Sequence, residues 1–69
     1  GNETATNVTF NDIFPTGYKI NSIILKTPDS PDPIIYDPGT YVQFTTLRID
    51  NLVIPVGTST LTVTGIYTS

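Results

Sequence analysis

The sequence contains no cysteine, histidine, methionine or tryptophan. Without Cys, no disulfide can staple a small fold, and no thiolate can hold a metal or attack a substrate. Without His, the commonest general base and the commonest metal ligand are both missing. Charge is scarce too: three Lys and Arg face six Asp and Glu, and charged residues make only 13% of the chain. That is about half the share in an ordinary soluble domain. A net charge of −3 offers no basic stripe to neutralise phosphates, so nucleic-acid binding is not expected. The longest apolar runs, Ile23-Ile24-Leu25 and Leu52-Val53-Ile54, are far too short to cross a bilayer, so no membrane insertion is expected. Gly1 to Thr9 shows no basic segment leading into an apolar one, so no signal peptide is expected within it, and any export signal would lie outside this chain. With no nucleophile–base pair to draw, the chain reads as a non-enzyme, and neither cofactor nor metal is expected.

What remains is rich in β-branched side chains. Thr, Ile and Val supply 27 of the 69 residues. These lose rotamer freedom in helices and suit a pleated, half-buried surface. Neutral hydroxyls and amides keep the chain soluble, in the style of exported surface proteins. A single domain of this length buries only about 60% of its unfolded surface and has a thin stability margin.

Short strand signals alternate with turn signals. Residues 5–10 alternate, with Val8 and Phe10 on one face. Pro15 and Gly17 mark a turn, and Asp12 beside them is expected to take part in it by accepting backbone N–H bonds. Residues 18–27 form the longest run, but apolar parity switches from Tyr18 and Ile20 to Ile23 and Leu25. A β-bulge or bend is therefore expected near Asn21-Ser22. Residues 28–33 carry three prolines and read as a loop. Ile34-Ile35-Tyr36 is a short strand closed by Asp37-Pro38-Gly39-Thr40, where Pro38 then Gly39 predicts a type II turn. Residues 41–49 read as one strand with a parity change at Thr45-Thr46, followed by a short connection at Asp50-Asn51 and a further strand over 52–54. Gly57 marks the next turn, and residues 59–67 alternate cleanly in the last strand. No window keeps helical spacing, so no α-helix is predicted. The expected fold class is an all-β antiparallel sandwich of about six strands, one module spanning residues 1–69.

The segment Thr4-Ala5-Thr6-Asn7-Val8-Thr9-Phe10-Asn11-Asp12-Ile13-Phe14-Pro15-Thr16-Gly17 resembles the conserved repeat domain of bacterial and archaeal surface proteins, the domain-of-unknown-function family numbered eleven. A second marker is Leu52-Val53-Ile54-Pro55-Val56-Gly57-Thr58-Ser59 with Leu61-Thr62-Val63-Thr64. The likeness spans residues 4 to 67, and its first segment carries most of the weight. It implies an immunoglobulin-like β-sandwich, one of several in a long extracellular or cell-surface protein, without enzymatic activity. Members of that family carry one or two further strands ahead of this segment. The resemblance therefore implies a trimmed module, a self-sufficient one, or one completed by a strand from elsewhere.

Other motifs have a plain reading beside a functional one. Asn2-Glu3-Thr4 and Asn7-Val8-Thr9 fit the glycosylation pattern, a short motif that chance supplies readily in a Thr-rich chain. Asp29, Asp32 and Asp37 flank the Pro-rich loop. Calcium wants six to eight oxygens, so solvated turn carboxylates are the better reading. Lys19 and Lys26 would have to be buried to form an isopeptide cross-link, and Lys26 sits at a strand end. The tyrosines 18, 36, 41 and 67 read as core caps rather than a sugar platform, and Thr60, Thr62 and Thr64 as a solvent-facing row. The expected function is that of a structural spacer module of a surface or fibre-forming protein. The alternatives are an adhesive module binding carbohydrate or protein, and an assembly subunit that exchanges strands. The expected partners are neighbouring modules or a second copy through strand pairing.

Overall fold

The computed structural model describes residues 3–68 and is all-β. Six strands run β1 (Ala5–Ile13), β2 (Tyr18–Lys26), β3 (Ile34–Tyr36), β4 (Val42–Gln43), β5 (Thr46–Ile54) and β6 (Thr60–Tyr67). They form two three-stranded antiparallel sheets, ordered β1-β5-β4 and β3-β2-β6. The central strands, β5 and β2, hold most of the core: Leu47, Ile49 and Leu52 from one, Ile20, Ile23 and Leu25 from the other, joined by Phe14. Val8 and Phe10 of β1 and Leu61 and Val63 of β6 pack against this cluster but are only half-buried. One cluster fed by both sheets ties them together, because each sheet alone would leave an apolar face in water.

The two parity switches of the sequence have different structural causes, a bulge and a hairpin. In β2 the register against β6 shifts between Ile20 and Ser22, the expected bulge, so Ile20, Ile23 and Leu25 all face the core. In the first sheet two bulges offset each other. Between Ala5 and Val8 the extra residue lies on β1, and between Val8 and Phe10 it lies on β5. Asn7 and Asn51 sit at these points with φ of 56° and 61°. Asn tolerates this left-handed region better than other non-glycine residues. Asp50-Asn51 is thus no connection between two strands, as the sequence led one to expect, but a bulge inside one continuous strand. Asn51→Val is expected to lower stability by about 2 kcal/mol, while Asn51→Gly holds or raises it. Urea midpoints decide this, and equal loss in both variants would show that the side chain rather than the backbone conformation matters.

The second parity switch, expected at Thr45-Thr46, is a hairpin whose loop is residues 44–45. Gln43 pairs with Thr46, so the expected strand over 41–49 is instead Tyr41 ahead of the sheet, then β4, a two-residue loop and the start of β5.

Two turn expectations are also corrected. Asp37-Pro38-Gly39-Thr40 does not make a type II turn, since Gly39 is not among the glycines with positive φ. Pro38–Tyr41 forms a single helical turn, α1, where no α-helix was expected. Asp37 caps it: its carboxylate accepts from Gly39 N at 3.2 Å and from the Thr40 hydroxyl at 3.3 Å. Asp at the N-cap with Pro at the first helical position is a strong helix start, even for one turn. At the other site, Tyr18 N donates to Pro15 O at 3.3 Å, and Gly17 takes φ 90°. The turn therefore runs over 15–18. Asp12 lies inside β1, opposite Leu47, rather than in the turn.

The topology also sets where the chain enters and leaves. β1 begins opposite Ile54. Its far end lies beside the 15–18 turn, where β6 finishes with Tyr67 opposite Tyr18 and Thr68 N bonded to Gly17 O at 2.6 Å. The first and last strands thus start and finish at opposite ends of a body measuring 41 × 21 × 18 Å.

Candidate binding site at the Phe44 hairpin

Phe44 occupies the first position of the two-residue loop between β4 and β5, with φ 56°. A positive φ at that position alone is the type II′ pattern, which Gly normally fills. A bulky aromatic there is strained. Its side chain gains nothing in return from the core, because Phe44 is 93% exposed. The loop itself is anchored by Phe14 N donating to Thr45 O at 2.9 Å.

Two grooves meet at this residue. The larger, about 580 Å³, is lined by Thr40, Tyr41, Gln43, Phe44, Thr46, Arg48 and Asp50. Thr46, Arg48 and Asp50 are alternate residues of β5 and project from the face opposite Leu47 and Ile49. Gln43 stands across from Thr46. Arg48 Nε pairs with Asp50 Oδ1 at 3.1 Å, and the Thr9 hydroxyl donates to the same oxygen at 3.1 Å. These two hydrogen bonds, Arg48 first and Thr9 second, hold the Asp50 carboxyl below its ordinary range. The pair is exposed, so its contribution is positioning rather than stability. The smaller groove, about 290 Å³, is lined by Phe44 together with Phe14, Tyr18, Ile20 and Val42 among others.

Tyr41 is fixed from behind by Tyr36, ring edge to face at 5.2 Å and 84°. Burial, and then the neighbouring Tyr41, push the Tyr36 phenol above its ordinary pKa. Tyr18 stacks edgewise on Phe14 and Tyr67, at 6.0 and 5.1 Å. Tyr18, Tyr36 and Tyr41 pack on the core, while Tyr67 is largely exposed.

The remaining sequence candidates are dispersed. Asn2 lies outside the described residues, and Asn7 is exposed at its bulge. Asp29 accepts from the buried Thr27 hydroxyl at 2.7 Å, and Asp37 caps α1, so both have local turn roles. Lys19 and Lys26 are exposed. Gly57, with φ 108°, sits against Pro28 and brings the 55–59 loop onto the Pro-rich loop. Thr60, Thr62 and Thr64 face solvent. Among the described residues no group of three or more acidic, His or Cys side chains is placed to hold a metal, and no helix is long and apolar enough to cross a membrane. Sequence reading missed Phe44, whose loop lacks the Gly or Asn that marks a two-residue hairpin. It also missed Gly65, although a glycine within a Thr-rich strand is a recognised sign of close backbone approach. Set against family models, curated proteins and solved structures, the chain finds no match in any of the three.

Proposed function

We propose that this chain is a non-enzymatic structural spacer, an immunoglobulin-like module of the conserved-repeat type within a cell-surface or fibre-forming protein. The observation that carries the reading is the path of the chain. β1 starts at one end of the 41 Å body and β6 finishes at the other. Joined copies with such a path extend a protein rather than fold it back. Tension applied through the two ends also pulls β1 along β5 and β6 along β2, so many ladder bonds share the force at once. Low charge and a Thr-rich exposed face fit a module that separates other parts without attracting ions or nucleic acid. An extracellular location belongs to the same reading.

Small-angle scattering on chains of one, two and three joined copies tests it. Each added copy is expected to lengthen the maximum dimension by about the 41 Å of one body. A two-copy chain little longer than one copy would sink the spacer reading. A second reading, assembly by strand exchange, has its own support: the outer edges of β1 and β6 pair with no strand among the described residues. Such edges are templates for β-addition. Concentration-dependent association of a single copy in sedimentation would favour that reading over the spacer.

A further inference from the structure

We infer that the groove beside Phe44 is a binding site for a neutral carbohydrate, a short oligosaccharide lying along the outer face of β5 with one sugar ring stacked on Phe44. The inference does not depend on the spacer reading, since a site of this kind works on an isolated copy.

Two independent anomalies coincide at one residue. The backbone of Phe44 is in a region that a bulky side chain avoids, and its ring is 93% exposed. Neither is repaid by packing, and uncompensated strain concentrates where a ligand is clamped. The surrounding groups define the chemistry. Tyr41 and Phe44 supply aromatic surface for the C–H face of a sugar ring. Gln43, Arg48 and Asp50 supply planar amide, guanidinium and carboxylate groups, each able to bond two neighbouring hydroxyls. Thr46 adds a hydroxyl between them. The Arg48–Asp50 pair is already held, with Thr9 as a third partner, so little ordering is left for binding. The groove volume of about 580 Å³ is within the range of ligand sites.

The same features disfavour other occupants. Asp50 already neutralises Arg48, so a phosphate or carboxylate would meet no free charge in this groove. A peptide added as a strand would bond a sheet edge through its backbone, whereas Thr46, Arg48 and Asp50 stand on the outer face of β5. A neutral, polyhydroxylated molecule with an apolar face fits both constraints.

The test is a titration of the isotopically labelled chain, followed by amide chemical shifts, with cellotetraose, maltotetraose, mannotetraose and chitotetraose at millimolar concentrations. At least one sugar is expected to shift amides of residues 40–50, and Phe44→Ala to weaken that binding at least tenfold. Phe44→Gly separates binding from folding. It should also abolish binding, yet raise the melting temperature by a few degrees, because Gly relieves the positive φ. Silence from all four sugars overturns the inference. So do shifts confined to the Thr60–Thr64 face, Phe44→Ala binding as tightly as the parent, or a groove response to inorganic phosphate and to none of the sugars.

Discussion

Gly65→Ala is expected to remove a large part of the stability of this domain, and Gly65→Val to leave it unfolded. Gly65 lies in β6 opposite Ile20, beside the β2 bulge. A Cβ there would run into the backbone carbonyl of Lys19 and come within 2.7 Å of the Tyr18 ring. The ring can be displaced at modest cost, but a backbone carbonyl moves only if the strands part. Overpacking of this kind costs about 1–3 kcal/mol, and more when ladder bonds go with it. A chain of this length has a total stability of about 3–10 kcal/mol. Urea unfolding of Gly65→Ala alone and combined with Tyr18→Ala checks the cause. If the carbonyl is the obstacle, the double variant stays as weak as the single one. Recovery in the double variant would place the obstacle in the ring instead.

Leu47→Ala is the second large effect, with an expected loss of about 2–5 kcal/mol. Leu47 and Ile23 are both fully buried, one on each central strand. The core is a single cluster with seven buried members, so a cavity has few neighbours able to close over it. Ile23→Ala is expected to behave alike from the other sheet, and the double variant to depart from additivity because both residues serve one cluster. Ile35→Ala provides the contrast. That residue is 73% exposed on β3, and its change should stay within about 0.5 kcal/mol. A calorimetric scan in which Leu47→Ala melts like Ile35→Ala would show that the two sheets do not depend on a shared core.

Much of this could be read from the residues in order. The β-branched composition called for strands, the Pro-rich stretch over 28–33 for a loop, and the parity switch after Ile20 for a bulge, and the structure has each of them. These rest on local rules, in which a side chain prefers a backbone shape or alternates across a strand. The same rules predicted a type II turn at Asp37-Pro38-Gly39-Thr40, where the chain instead makes a helical turn. The Asp37 carboxylate decided it by bonding Gly39 N.

The candidate site was far less legible. Arg48 and Asp50 share a face by simple alternation, yet nothing local marks that face as special. Phe44 reads as one more apolar strand residue beside Val42. Only the pairing of Gln43 with Thr46 makes it a loop residue, and only the surrounding chain leaves its ring in solvent.

The absences that first defined the sequence still set the limits of its chemistry: no thiol, no imidazole and little charge. With the β-branched excess, they determined an all-β chain whose stability must come from one small apolar core. The tertiary structure decided which parity faces that core, through bulges at Asn7 and Asn51 that offset each other across two strands. It also decided that Gly65 must stay bare and that Phe44 is displayed. Each of these depends on which strand lies alongside, and residues more than 40 positions apart in the chain, such as Lys19 and Gly65, meet only after the sheets have formed.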